Sequence, residues 1–153
     1  MKIQFDDNYF MKKAIDEAKI ALSKGEVPVG AVIVADNKII ARAHNMVESL
    51  NDVTAHAEIL AITSASNYIG GKYLKNCSMY VTLEPCQMCA GALYWARISN
   101  LYFGASDPKR GYQVLGTVLH PKTKVSAGIL KHECKELLAV SYTHLRAHET
   151  HEN

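Results

Sequence analysis

Cys86 and Cys89, three residues apart in Glu84-Pro85-Cys86-Gln87-Met88-Cys89, and the pair His56 and Glu58 about thirty residues upstream have the types and spacing to do chemistry. Placed at i and i+3 in the opening turn of a helix, two sulfurs share one face and can reach one metal ion. The amides and dipole of a helix N-terminus favour thiolate over thiol, and thiolate is the form that binds zinc. An imidazole at the start of a neighbouring helix, His56, completes a set of one nitrogen and two sulfurs. Structural zinc sites are usually closed by four protein ligands, whereas a catalytic site keeps one position open. Three ligands therefore point to chemistry rather than to a staple.

Zinc held by His56, Cys86 and Cys89 would lower the pKa of its bound water toward neutrality and supply hydroxide at physiological pH. Glu58 stands two residues from His56, a spacing that diverges in mid-helix but lets both side chains project over a helix end. A carboxylate there can take a proton from water and return it to a leaving group. Hydrolytic deamination requires this: hydroxide attacks an amidine-like ring carbon, and ammonia must leave protonated. Glu58 is the candidate general acid/base. Each half of the pattern is weaker alone, because His-x-Glu pairs are common on solvated helices and Cys-x-x-Cys also serves structural zinc sites and thiol redox motifs. The two together, with Pro85 ahead of Cys86 at a strand-to-helix junction, favour a zinc hydrolase. A metal-independent thiol oxidoreductase and a non-catalytic, zinc-stabilised RNA-binding subunit are the alternatives.

The elements that must position these residues alternate along the chain. A helix starts near Asp6 or Asp7, either of which can cap it, and runs to about Ser23, with Gly25 as its stop. Its apolar stripe is Phe10, Met11, Ala14, Ile15, Ala18, Ala21 and Leu22. Val29 to Val34 and Lys38 to Ala43 are β-rich runs joined by a turn at Ala35-Asp36-Asn37, which predicts a hairpin. Gly30 marks a bulge or a close backbone approach. His44-Asn45 closes the second strand, and the polar stretch to Asp52 reads as a loop. Thr54 to about Tyr68 is small and aliphatic, a buried helix that Gly70-Gly71 ends. Met79 to Leu83 is a strand, Pro85 suits the first turn of a helix running to about Arg97, and Leu101 to Gly104 is another strand. A long loop, Ala105 to Gly116, carries Asp107, Lys109 and Arg110, and such loops are often functional. A short strand at Lys124 to Ala127 and a helix from Ile129 to about Ala139 follow. The alternation predicts an α/β sandwich with a mixed, mainly parallel sheet and helices on both faces.

With 48% hydrophobic and 21% charged residues, the chain fits one globular domain with a substantial core. A formal net charge of +2 does not argue for nucleic acid by electrostatics alone, so any basic surface must be local, and DNA is not an expected partner. No apolar run is long enough to cross a bilayer, and the N-terminus lacks the h-region of a secretory signal. A cytoplasmic location and no membrane partner are the expectation. In that compartment Cys77 and Cys134 read as ordinary buried thiols.

Val27-Pro28-Val29-Gly30-Ala31-Val32, His56-Ala57-Glu58-Ile59 and Val81-Thr82-Leu83-Glu84-Pro85-Cys86-Gln87-Met88-Cys89-Ala90-Gly91-Ala92 together resemble the zinc-dependent cytidine/nucleoside deaminase superfamily. Within it they resemble most the bacterial transfer-RNA adenosine deaminase branch. Similarity extends from about Phe5 to Leu138. The resemblance implies a cytidine deaminase-like three-layer α/β/α sandwich with a mixed five-stranded sheet, one Zn2+ per subunit, and a homodimer. It implies deamination of the wobble adenosine to inosine in the anticodon stem-loop of a tRNA. His56, Cys86 and Cys89 match the ligands and Glu58 the proton shuttle. Asn45 matches a base-binding residue, Val29 and the backbone of Ala57 match pocket-lining positions, and the Asp107 loop matches the segment that approaches RNA. The run Ala92-Leu93-Tyr94-Trp95-Ala96-Arg97 is also similar to bacterial guanine deaminases, so a free-base or nucleoside deaminase is the rival enzyme.

Two segments depart from the family pattern. Tyr112-Gln113-Val114-Leu115-Gly116 replaces a run of small residues, a change expected to alter loop shape and substrate choice. From Val140 onward the sequence resembles a translated sequencing adapter. This predicts a deaminase domain over residues 1–139 with a shortened C-terminal helix, weakened RNA affinity, and a non-native tail over 140–153.

Overall fold

The computed structural model describes residues 3–151, with side chains over 3–141. Helix α1 (Asp7–Ser23) is capped by Asp6, whose Oδ1 accepts the Tyr9 N–H at 2.8 Å. It ends where Gly25 takes φ +75°. Strands β1 (Gly30–Ala35) and β2 (Lys38–His44) form the expected hairpin. Asp36 and Asn37, both at positive φ, make the tight turn that matches the twist of the two strands.

The expected loop after β2 contains a one-turn helix, α2 (Val47–Leu50). Its first amides are held by Glu26, more than twenty residues earlier in the chain, so no local pattern announces it. Helix α3 (Ala57–Ile69) starts three residues later than Thr54 suggested, with His56 as N-cap, and Gly70 at φ +72° ends it. Strand β3 (Cys77–Leu83) leads into α4 (Gln87–Ala96), whose N-cap is Cys86. Pro85 thus precedes the cap instead of sitting in the first turn. Strands β4 (Asn100–Ala105) and β5 (Lys124–Ala127) and helix α5 (Lys131–His151) complete the chain. Helix α5 runs beyond Ala139, where it was expected to stop, because neither Gly nor Pro interrupts 131–151.

The five strands order as β2-β1-β3-β4-β5. β1 is antiparallel to both β2 and β3, whereas β3, β4 and β5 run parallel. The expectation of a mainly parallel sheet is corrected to an even mixture. The crossover through α3 does return β3 parallel to β2, but β1 lies between them, and both contacts across β1 are antiparallel.

On one face α3 (Ala57, Ala61, Ala65) and α4 (Ala90, Leu93, Ala96) pack on Ala31, Ile33, Met79, Val81, Leu101 and Phe103. On the other, α1 and α5 pack on Val32, Val34, Tyr80 and Tyr102. This is the three-layer α/β/α sandwich. Gly30 permits the closest approach: a Cβ there would lie 2.5 Å from the Ala18 nitrogen and nearer still to the Ala14 carbonyl oxygen, so the α1 backbone rests directly on β1. Cys77 and Cys134 are free thiols buried in the two cores. Burial pushes both thiols up, to about 12 for Cys134.

Candidate active site

His56 and Cys86 occupy the same structural position, the N-cap of a helix, on α3 and α4. An N-cap side chain normally turns back to accept an amide of the first turn. Neither His56 nor Cys86 does so, and both side chains reach outward instead. His56 Nδ1 lies 3.7 Å from Cys86 Sγ and 3.5 Å from Cys89 Sγ, and the three ligand atoms all fall within 4.8 Å of one another. Zinc bonds to sulfur and nitrogen at tetrahedral angles set an N to S separation of about 3.6 Å. The donor atoms already stand at the spacing the ion imposes, and two thiolates with one imidazole are a donor set it prefers.

The thiol pair is electrostatically unequal. Its hydrogen bond from Cys89, together with His56, draws Cys86 down to about 4 against its own burial. The same hydrogen bond, then burial, holds the Cys89 proton far above the ordinary thiol range. The dithiol thus retains one proton that a dication would displace. His56 is held up by its hydrogen bond to Cys86 despite burial, with the Glu58 charge adding to the effect. Burial is also what pushes the Glu58 carboxyl up to about 7, against the pull of its own amide and of His56.

Apart from Cys89, these groups meet a cavity of 490 Å³, within the size range of small-molecule sites. His56, Glu58 and Cys86 line its floor, and Val29, Asn45 and Asp107 line its walls, so six of the expected site residues converge there. Cys89 sits behind them, fully buried. Asn45 Oδ1 accepts the Ala57 N–H at 2.8 Å, which joins the end of β2 to the start of α3. What Asn45 retains to offer a base is its NH2 group. Ala57, expected to line the pocket, is fully buried and absent from the cavity wall, its amide committed to Asn45. Asp107 spends Oδ1 on the amides of Lys109 and Arg110, at 3.1 and 3.0 Å. Arg110, from the same loop, also reaches the wall.

Among the wall residues without an expected role are Glu26 and Glu84. Glu26 accepts the amides of Glu48 and Ser49 at 3.0 and 2.7 Å and the Ser49 hydroxyl at 2.7 Å, and so holds α2 against the cavity. Glu84 does the same for the 107–113 loop. A glutamate just after the helix-ending Gly25 and another just ahead of Pro85 were visible signals, but their partners are remote in sequence. Ser141 of α5 borders the cavity as well.

This fold and site place the chain in a family. Residues 4–105 match the family model described as the cytidine and deoxycytidylate deaminase zinc-binding region, and the chain belongs to that family. Zinc is its cofactor, with His56, Cys86 and Cys89 positioned to hold it. Among its relatives, the tRNA-specific adenosine deaminase of Bacillus subtilis is 44% identical over 148 residues, 92% of this chain and 91% of that protein. The enzyme of the same name from Aquifex aeolicus is 56% identical over 103 residues, 67% of this chain and 68% of its own length. A solved structure of a tRNA:A34 deaminase, studied for A-to-I editing at the wobble position of transfer RNA, superposes with TM-score 0.81 at 44% identity, covering 85% of this chain and 99% of the other. Guanine deaminase from Bacillus subtilis gives TM-score 0.65 at 38% identity, covering 73% and 69%.

Proposed function

We propose that this protein hydrolytically deaminates adenosine to inosine at the wobble position of a tRNA, and that it reads its substrate as an anticodon stem-loop. The observation that carries the reading is the cluster of His56, Cys86 and Cys89 donor atoms beside a cavity that His56, Cys86, Glu58 and Asn45 line. Relatives at 44% and 56% identity with that activity in their names support the choice of substrate. A purine in a duplex cannot enter such a cavity, whereas a splayed anticodon-loop base can.

When bound by His56, Cys86 and Cys89, zinc supplies Lewis-acid activation of water at neutral pH. The Glu58 carboxylate receives the proton that water gives up as its oxygen adds to C6 of the base. Glu58 passes that proton to ring N1, then carries the second proton of the added oxygen to the exocyclic nitrogen; the C6–N bond breaks, and ammonia leaves with C6 as a carbonyl. Asn45 orients the ring through its NH2, and Val29 supplies an apolar wall that keeps bulk water from the base. Arg110 offers a cation to the RNA backbone beside the cavity. With such a substrate, the place of action is the cytoplasm.

Zinc-loaded protein incubated with an anticodon stem-loop should convert the wobble adenosine, read by sequencing as guanosine. Conversion of free guanine and not of the RNA would transfer the assignment to guanine deamination, which the 38% identical guanine deaminase structure keeps in play. Thiol–disulfide exchange that persists after chelation, with no deamination of either substrate, would instead identify a thiol oxidoreductase.

The homodimer is read from the α3 and α4 face. Trp95 is 76% exposed there, beside a groove that mixes Ile62, Tyr73 and Ala92 with Thr63, Asn67 and Lys72, and an exposed tryptophan of this kind is a surface a second copy covers. Trp95→Glu should shift the mass seen by light scattering from dimer to monomer. The reading of 140–153 as a translated adapter rests on sequence alone, and the encoding DNA decides it.

A further inference from the structure

Strand β3 ends in Leu83, and the next residue, Glu84, is 5% exposed although it carries a carboxylate. Burial of that group is tolerated because both oxygens are occupied: Oε1 accepts the Asp107 N–H at 3.0 Å and Oε2 the Gln113 N–H at 3.1 Å. These amides stand at the two ends of the 107–113 loop. Backbone bonds complete the attachment, with Glu84 N–H donating to Ala105 O at 2.8 Å and Tyr112 N–H to Pro85 O at 2.9 Å. Gly111 pairs with Cys86 in an isolated antiparallel bridge. A Cβ at Gly111 would lie 2.5 Å from Glu84 Oε2 and 2.6 Å from the Asp107 carbonyl oxygen, so this glycine is required by space and not by its dihedral angles. Inside the loop, Asp107 Oδ1 and its carbonyl oxygen hold the amides of Lys109, Arg110 and Gly111. Asp107 thus shapes the turn, and Arg110 is the cation it leaves at the cavity wall.

We propose that Glu84 is a positioning residue for RNA: its buried carboxylate, seated against Gly111, fixes the loop so that the Arg110 guanidinium stands at a set place relative to the neighbouring ligand Cys86. This rests on the RNA-deaminase reading above. Glu84 is two residues from Cys86 in a rigid strand-to-helix turn, so one carboxylate ties the frame that contacts phosphate to the frame that holds the metal. Substrate register then depends on this latch, through the loop rather than through any contact of Glu84 with the base.

The test compares Glu84→Gln, Arg110→Ala and the double variant on an anticodon stem-loop, with bound zinc measured by mass spectrometry. Glu84→Gln should keep its zinc and raise KM about tenfold, with a much smaller loss in kcat. Arg110→Ala should raise KM by a similar factor, and the double variant should be no worse than either single one, because the second change removes a contact already misplaced. Multiplying KM effects in the double variant would overturn the proposal, as would an unchanged KM in Glu84→Gln. Gly111→Ala reaches the same latch while leaving every charged group in place. It should reproduce the KM rise and speed amide exchange at Asp107 and Gln113, and normal values of both would equally overturn the proposal, including when Glu84→Gln does not fold. Wild-type turnover on the same RNA reports separately on the underlying function, while amide exchange reports on the latch whatever the substrate is.

Discussion

Glu26 and Glu58 face the same cavity, 3% and 4% exposed, yet their surroundings drive them in opposite directions. Burial alone would raise both. Around Glu26, the amides of Glu48 and Ser49, the Ser49 hydroxyl and the charge of His44 outweigh burial and hold the carboxyl below its ordinary value. At Glu58, burial prevails and the carboxyl rises to about 7. A carboxylate that receives amides from a neighbouring segment becomes a fastener and stays ionised. One set beside two sulfurs and an imidazole remains able to exchange a proton. Solvent exposure does not separate the two roles; how deeply each carboxyl is enclosed and how many N–H donors it receives do.

The largest test of this contrast is Glu58→Gln. Turnover on the stem-loop should fall about a thousandfold, while bound zinc, measured by mass spectrometry, stays at one ion per chain. Undiminished turnover would place the proton transfer elsewhere. Chelation should come next: activity disappears, returns on adding zinc, and the melting temperature climbs with zinc concentration, since the ion binds the folded site preferentially. Glu26→Gln should show the opposite profile to Glu58→Gln, with stability falling by about 1–3 kcal/mol in denaturant titrations and turnover reduced only through a loosened α2 wall. If Glu26→Gln matched the Glu58 variant in lost activity and kept its stability, the division into fastener and proton carrier would collapse.

The smallest effect is one of pH. Because the folded-state value of Glu26 lies below the ordinary 4.5, its stabilising contribution is fully present above pH 4.5 and fades as pH drops through the lower folded value. The stability gap between wild type and Glu26→Gln should therefore be widest near neutrality and narrow in acid. A gap independent of pH would mean that the charge on Glu26 is not what holds α2.

Much of this was legible in the sequence because it is written locally. The cap at Asp6, the stop at Gly25, the Asp36-Asn37 turn and the Cys86 and Cys89 spacing each depend on residues within a turn or two of one another. The features that were not legible depend on partners far along the chain. Helix α2 owes its first amides to Glu26, and the 107–113 loop owes its place to Glu84, so neither segment carries its own signal. The same cause explains the mixed sheet: alternation of elements fixes that β3 returns parallel to β2, but not that β1 stands between them. Asn45 and Val29 became candidates only by resemblance and both line the cavity, whereas Ala57, a candidate through its backbone, is buried with its amide bonded to Asn45.

The placement of both His56 and Cys86 at N-caps has a consequence for how the chain assembles itself. Each ligand is aimed by the backbone that starts its own helix, so each half can be prepared early and locally. The two halves are separated by 30 residues between His56 and Cys86 and by 33 to Cys89, with β3 between them, and they meet only when β3 has docked beside β1. Metal capture is therefore a clock for a late, long-range event: in a refolding experiment, helix signal should recover before zinc affinity does, and the interval between them times the docking of the central strand.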